Sequence, residues 1–395
     1  MFKKRNTLLK PVLIAACVSA LIASNASSVS AQTYSSQEQL GSALYFDENL
    51  SLNRNQSCAS CHAPTNGFVD TSTNPQTLSG SLGSDGKSIG DRNAPTASYA
   101  SFIPPFSKKS NGEYVGGQFH DGRASLLKDQ AAGPPLNPGE MAMPTKQAVL
   151  ERLLENESYK ASFSALFGAD VLKDADKAFD AMALSIASFE KTELFAPFDS
   201  KYDRYLKGEY SFTEQEKLGE TLFFSQQFTN CNQCHQLRKN PAQEKETFSN
   251  YEYRNIGVPA NTALRKLNGK SDDFVDNGLL ENPQVSDQKQ AGKFKVPTLR
   301  NIALTGPYMH NGVFADLRTV VLFYDKYNSR KAARKINPET GKTWAEPEVP
   351  QNIALDELTK GKALSNKRID ALVAFMKTLT DKQYEHLLKD SSKSE

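Results

Sequence analysis

The pentapeptide Cys-X-X-Cys-His occurs twice in the chain, as Cys58-Ala59-Ser60-Cys61-His62 and as Cys231-Asn232-Gln233-Cys234-His235. This pattern is the attachment signal of a c-type haem. Two cysteines at this spacing reach two vinyl groups on one porphyrin edge and form thioethers with them. The adjacent histidine then turns its imidazole onto the iron from the same side. Zinc knuckles or redox dithiols are the competing uses of a Cys-X-X-Cys pair. Zinc, however, wants its four sulfurs together, and here the pairs lie far apart in the chain. Neither use requires a histidine after both copies. The motifs therefore predict two covalently bound haem c groups, with His62 and His235 as their proximal ligands.

Few groups are left for the other face of each iron. Of five histidines, only His120, His310 and His386 are uncommitted, beside six methionines. No histidine lies between His62 and His120, so the loop after the first motif offers no nearby imidazole. An iron with an empty sixth position binds peroxide, whereas one held on both faces must first lose a ligand. That asymmetry suits a peroxidase whose second haem stores electrons. The alternative is a di-haem electron carrier, six-coordinate at both irons and inert to peroxide.

Composition points to an exported protein. Four of the five cysteines belong to the two motifs, which leaves no pair for a structural disulfide. The fifth, Cys17, lies in a leader-like segment where Lys3, Lys4, Arg5 and Lys10 precede the apolar run Pro11 to Ala23. Small residues then lead to Val29-Ser30-Ala31, so a cut after Ala31 is expected. A lipoprotein reading of Ile14-Ala15-Ala16-Cys17, with a lipid anchor at Cys17, stays open. Covalent haem attachment and an export leader agree on a bacterial-type periplasm. No stretch is long and apolar enough for a transmembrane segment. The net charge of +2 in 395 residues argues for neither nucleic acid nor an anionic membrane as partner. The basic run Lys326 to Lys335 reads as a solvated face, with docking of an acidic partner left open.

The elements that must position these residues repeat once. Leu40-Gly41-Ser42-Ala43-Leu44-Tyr45-Phe46 precedes the first motif, and Leu218-Gly219-Glu220-Thr221-Leu222-Phe223-Phe224 precedes the second. Pro95-Thr96 and Pro297-Thr298 follow, then Phe119-His120-Asp121-Gly122 and Met309-His310-Asn311-Gly312. Matched features in the same order predict a duplication with one haem per half. Phe179, Met182, Ile186 and Phe189 recur at helical spacing, as do Leu150, Leu153 and Leu154. Ile369, Leu372, Val373 and Met376 predict a C-terminal helix with Ser365 as N-cap. Loops at 63–118 and 236–296 are rich in Gly, Asn, Asp, Ser and Pro, and each is expected to wrap a haem. The fold class is mainly α, two cytochrome c-like haem domains related by duplication. The leader takes 1–31, the N-terminal peroxidatic domain 32–196 and the C-terminal electron-transfer domain 197–395. The boundary follows a helix expected to end at Glu193.

Longer motifs carry a family resemblance. Gly117-Gln118-Phe119-His120-Asp121-Gly122-Arg123, Gln130-Ala131-Ala132-Gly133-Pro134 and Asn137-Pro138-Gly139-Glu140-Met141 resemble the distal-pocket signature of the bacterial di-haem cytochrome c peroxidase and MauG superfamily. Phe294-Lys295-Val296-Pro297-Thr298-Leu299-Arg300-Asn301 and Thr305-Gly306-Pro307-Tyr308-Met309-His310-Asn311-Gly312 resemble its second-domain signature. The resemblance implies hydrogen peroxide as substrate. It also implies either a small periplasmic electron donor, a cytochrome c or a cupredoxin, or a protein substrate. It places a distal glutamate on Glu140 and a distal glutamine on Gln130. A carboxyl over a buried haem, its pKa raised by desolvation, can take a proton from one peroxide oxygen and return it to the other. An amide such as Gln130 can hold water or peroxide without changing charge.

At the second haem the family uses a methionine in the peroxidases and a tyrosine in MauG-like members. Counting on from Pro307 by the family's spacing reaches Tyr324, on one helical face with Leu317, Val320 and Val321. The resemblance thus implies Tyr324 as an iron ligand, although periodicity alone reads it equally as a core aromatic. A calcium ion bound by Asn93 and the carbonyls of Thr305 and Pro307 is also implied. One departure stands out. The family usually has tryptophan where this chain has His120. The only tryptophan, Trp344, falls in a polar loop with no expected route to either haem.

Overall fold

The computed structural model describes residues 33–71, 79–237, 245–271 and 273–388; the leader and Cys17 lie outside the described residues. The first half runs through α1 (Gln37–Tyr45), α2 (Cys58–Cys61), α3 (Leu127–Ala131), α4 (Gly133–Leu136), α5 (Lys146–Leu154), α6 (Glu157–Phe167) and α7 (Ala175–Phe189). The second runs through α8 (Lys201–Leu206), α9 (Glu214–Phe223), α10 (Thr262–Asn268), α11 (Leu317–Asp325), α12 (Leu355–Leu358) and α13 (Asn366–Lys377). Strands are short antiparallel pairs: β1 (Gly80–Leu82) with β2 (Ile89–Asn93), β3 (Ser107–Lys108) with β4 (Tyr114–Val115), and β5 (Tyr253–Arg254) with β6 (Phe294–Lys295). The fold is mainly α, as the periodicities predict.

Local chemistry explains the helix ends. The Thr145 hydroxyl accepts from Ala148 N–H at the start of α5, and the Asp174 carboxylate caps α7. Ser365 caps α13 by accepting from Arg368 N–H, as expected. Each cap satisfies amides that the first helical turn leaves without partners. Three expectations change. Helix α7 ends at Phe189 rather than Glu193, because residues 190–195 turn back to bury Phe195. Leu154 is 37% exposed and leaves the core stripe to Val149, Leu150 and Leu153. The loops at 63–118 and 236–296 are not structureless, since they contain β1–β2, β3–β4 and α10. Their two- to five-residue strands are too short to give a readable alternation.

The described residues form one compact unit with two main hydrophobic clusters. One is built from residues between Leu40 and Phe195, the other from residues between Tyr202 and Leu379. Each is organised by one close helix pair. α1 lies on α7 at Gly41, where an added Cβ would stand 1.9 Å from the Ser185 carbonyl oxygen. α9 lies on α13 at Gly219, where an added Cβ would stand 1.9 Å from the Ala371 carbonyl oxygen. Both glycines come from the repeated Leu-Gly segments, so the repeat marks positions where two backbones touch.

Gly41→Ala and Gly219→Ala should each destabilise the holoprotein by ~1–3 kcal/mol, the usual cost of forcing an extra carbon into a packed core. Guanidinium unfolding of both variants checks this. Unchanged midpoints would mean that these helix pairs pack less tightly than described.

Candidate functional site

The two pentapeptides take different local forms. Cys58–Cys61 makes one α-turn, closed by a reciprocal bond between Ser57 and Ser60. Cys231–Gln233 makes a 3₁₀ turn entered through Asn230 at φ +69°. The histidines that follow are nevertheless mounted alike. His62 Nδ1 lies 3.3 Å from the Phe68 carbonyl oxygen, and His235 Nδ1 lies 3.2 Å from that of Phe248. A carbonyl only accepts, so Nδ1 carries the proton and Nε2 keeps its lone pair free for a metal. Phe68 and Phe248 share φ +56° and are fully buried. Burial holds both imidazoles below their ordinary pKa, His235 at about 4, opposed by backbone groups that include Pro95 and Pro297. The repeated Pro-Thr pairs therefore lie against the two rings.

Around the second motif runs a cavity of about 350 Å³. Cys231, Cys234, His235 and Tyr324 line it, and it continues to Asn93, His120 and Lys295. Tyr324, on α11, has its hydroxyl free of hydrogen bonds among the described residues, and burial raises its pKa. Met309, His120 and His310 also line this cavity, so all three ligand types weighed from sequence share it. The residues fit a planar, largely apolar group: two thiols, an imidazole with Nε2 available and a phenol.

Near the first motif, Glu140 follows a turn in which its N–H donates to the Asn137 carbonyl at 3.0 Å. Burial raises its carboxyl pKa, opposed by Arg123 and a hydrogen bond from Asn137. Burial chiefly raises the Cys58 and Cys61 pKa values, and the Glu140 charge adds to this, which puts the carboxyl in the neighbourhood of the motif. The Arg123 guanidinium lies 3.8 Å over the Phe119 ring and pairs with Asp121 at 2.7 Å. Gln130 is half-buried on α3.

The residues proposed for calcium also meet. Asn93 Nδ2 donates to the Pro307 carbonyl at 2.6 Å, and Thr305 lines the same cavity. Turning the amide over would present its oxygen beside the Pro307 carbonyl, a pair of neutral oxygen donors of the kind calcium accepts.

Sequence reasoning missed the charged wall around these groups. Arg92 forms ion pairs with Asp121 at 2.5 Å, Asp276 at 2.6 Å and Glu281 at 2.9 Å. Lys295 donates through Nζ to the Gly117 carbonyl and through its N–H to the His120 carbonyl. His120 itself binds the Asn93 carbonyl at 2.9 Å, and burial depresses its pKa to about 4. Trp344 is also better placed than expected. Its ring packs edge-on against Phe323 at 5.5 Å, next to Tyr324 in sequence, and its Nε1 donates to the Arg334 carbonyl. The basic run is not wholly solvated either, because Lys326 lies 3.9 Å over Phe323 and Arg334 pairs with Asp325.

Comparison with known proteins gives a consistent result. A family model described as di-haem cytochrome c peroxidase matches residues 35–211. Methylamine utilization protein MauG of Paracoccus denitrificans is 53% identical over 352 residues, 89% of this chain and 90% of that protein. Cytochrome c551 peroxidase of Nitrosomonas europaea is 33% identical over 288 residues, 72% of this chain and 71% of that protein. The crystal structure of the diheme peroxidase BthA from Burkholderia thailandensis superposes with TM-score 0.78 at 28% identity, over 92% of this chain and 90% of that one.

One buried acid near the first motif yields a pH test. Glu190, at the end of α7, is 5% exposed, its Oε2 has no partner, and burial lifts its pKa to about 8. The fold favours the neutral acid, whereas the unfolded chain ionises it near ~4.3. Stability is therefore lost as pH rises from about 5 to 8, by up to ~1.4 kcal/mol per unit. Glu190→Gln, always neutral, should gain on the wild type across that window in guanidinium midpoints. A constant difference between the two would show that Glu190 is solvated.

Proposed function

This chain belongs to the di-haem cytochrome c peroxidase and MauG family and is a haem-dependent oxidoreductase; from that membership and the geometry above, we propose that it reduces hydrogen peroxide at its N-terminal haem site. That site is carried by Cys58, Cys61 and His62, with Glu140 and Gln130 on the peroxide side. The site of Cys231, Cys234, His235 and Tyr324 stores or relays electrons. Two haems, held through the paired cysteines, would supply the redox chemistry, and the N-terminal one alone would offer peroxide a coordination position.

The protein's own residues divide the remaining work. Glu140 takes the proton from one peroxide oxygen and returns it to the other, so that the departing oxygen leaves as water. Its raised pKa, caused by burial, suits a group that must both accept and donate near neutral pH. Gln130 orients peroxide by hydrogen bonds that leave its own charge unchanged. The carbonyls of Phe68 and Phe248 hold His62 and His235 in the Nδ1-protonated form. Tyr324 and His235 would together hold the second haem, and a phenol ligand would favour the oxidised state of that site. The single observation that carries the reading is the asymmetry between the sites. A phenol stands in the cavity of the second motif, and a carboxyl of raised pKa stands beside the cysteines of the first.

Several finer features belong to the same reading. The two clusters and the matched Gly41 and Gly219 contacts support two domains, 32–196 and 197–395, descended from a duplication. The turns at Phe119 and Met309 support it too, since both have positive φ and close with equivalent bridges, Gln118 to Ala124 and Tyr308 to Phe314. Calcium, held by Asn93, Thr305 and Pro307, stiffens the segment joining the sites. The leader directs the chain to the periplasm, and no helix among the described residues is long and apolar enough to cross a membrane. The partner is a small periplasmic electron donor or a protein substrate, the latter favoured by the likeness to MauG.

Glu140→Gln tests the assignment, because it keeps size and most hydrogen bonds but removes the base. In stopped-flow mixing of ferric protein with peroxide, the reaction should slow by ~10²–10⁴-fold, the usual contribution of a general acid–base group. A wild-type rate would move the acid–base role elsewhere. Tyr324→Phe should alter the absorption and resonance Raman spectrum of the C-terminal haem alone. Spectra identical to wild type would assign that position to another group, Met309 being the nearest candidate by type.

A further inference from the structure

Between the two histidine mounts stands a phenol paired with a carboxylate that neither haem site uses. Tyr99 is 1% exposed, and it lines the same cavity as His120 and His235. Two residues before it, Ala97 N–H donates to the Phe68 carbonyl at 3.0 Å, the same carbonyl that faces His62 Nδ1. Tyr99 therefore belongs to the neighbourhood of both motifs. Its backbone adopts φ +60°, a conformation that costs a non-glycine residue ~1–2 kcal/mol.

The hydroxyl donates to Asp381 Oδ1 at 2.5 Å. The carboxylate is oriented by Asn301, whose Nδ2 donates to Asp381 Oδ2 at 2.8 Å while Asp381 N–H donates back to Asn301 Oδ1 at 2.8 Å. Other tyrosines in the cavity wall lack such an acceptor. Tyr308 donates to the Ile302 carbonyl at 3.0 Å, and the Tyr251 hydroxyl has no carboxylate acceptor among the described residues. A phenol gives up an electron at an accessible potential only as its proton leaves, because the radical cation is a strong acid. Here the guanidinium of Arg300 stands 5.3 Å from the centre of the Tyr99 ring, which makes a charged ring costlier still. A proton acceptor in contact removes that cost.

We propose that Tyr99 is a redox-active side chain that gives one electron to the haem pair and its phenolic proton to Asp381. The proposal rests on the peroxide reaction above, which supplies the oxidant. Hydrogen peroxide takes up two electrons and two protons to form two waters. Without an external donor, one of these electrons comes from Tyr99 and the other from the haem pair, while both protons come from solvent. Its O–H bond breaks, a new O–H bond forms on Asp381 Oδ1, and the ring is left as a neutral phenoxyl radical. An electron from a donor and the return of the proton restore the phenol. Burial raises the Asp381 carboxyl to about 6, helped by Asp199 and opposed by Tyr99, Asn301 and Arg300. At neutral pH it is therefore ionised and ready to accept.

The test uses ferric holoprotein mixed with one equivalent of hydrogen peroxide without donor, with absorption followed and samples freeze-quenched for EPR. The wild type should give a phenoxyl signal that narrows when the protein carries ring-deuterated tyrosine. Tyr99→Phe should reduce that signal to background while the haem absorption still responds to peroxide. Tyr159→Phe, which removes another phenol–carboxylate pair, at Asp47, should leave it unchanged. The signal should also fade below pH about 6, where Asp381 is already protonated. If Tyr99→Phe fails to fold, ring-fluorinated tyrosine at position 99 should add fluorine splitting to the signal. A haem response with no radical, or with a radical indifferent to position 99, overturns this proposal alone. A haem that does not respond to peroxide overturns the peroxidase reading and this proposal together.

Discussion

The arrangement depends first on a hydrogen bond made twice, from the Nδ1–H of His62 and His235 to the carbonyls of Phe68 and Phe248. This bond decides which nitrogen is free, and therefore which way each imidazole can face a metal. Aiming those carbonyls costs something, since both phenylalanines sit in the left-handed region at φ +56°. Packing offsets it: Phe68 stacks on Phe195 at 4.1 Å, and Phe248 sits edge-on to Tyr202 at 5.1 Å. The two clusters thus do more than stabilise the chain, because each holds one strained carbonyl in place. The glycine contacts of α1 on α7 and α9 on α13 set the frames within which those aromatics pack.

On this common mount the two sites diverge. The second cavity is lined by both His235 and Tyr324, and the Tyr324 hydroxyl makes no hydrogen bond among the described residues. The first site presents a carboxyl whose acidity is weakened by burial and which Arg123 keeps from rising further. Between them, Arg92 binds three carboxylates, tying residues 92 and 121 to residues 276 and 281 across the two halves of the sequence. The His120 ring, held to the Asn93 carbonyl and depressed to about 4, is neutral at physiological pH and adds no charge there.

The parts legible in sequence were those fixed by short-range rules. Cys-X-X-Cys-His spacing marked the two candidate haem sites, and helical periodicity marked α5, α7, α11 and α13. The repeated Leu-Gly and Pro-Thr pairs pointed to contacts that proved to be a helix crossing and a ring neighbour. Glu140 and Gln130 become candidates only through longer motifs, because a glutamate after a proline turn has no signature of its own. The Tyr99–Asp381 pair joins residues far apart in the chain, so no local pattern announces it. Glu190 reads as the ordinary polar end of a helix, and its burial follows from the turn at 190–195 that no periodicity encodes. Trp344 looked isolated in a polar loop, yet packing on Phe323 set its place.

The central claim is that two equally mounted imidazoles serve unequal haems, one open to peroxide and one closed. Low-temperature EPR with resonance Raman on the resting ferric holoprotein at neutral pH tests it most directly. The account predicts one high-spin site with a vacant position, assigned to the N-terminal half, beside a second site held on both faces. Two low-spin, six-coordinate sites would contradict it and leave an electron carrier in place of a peroxidase.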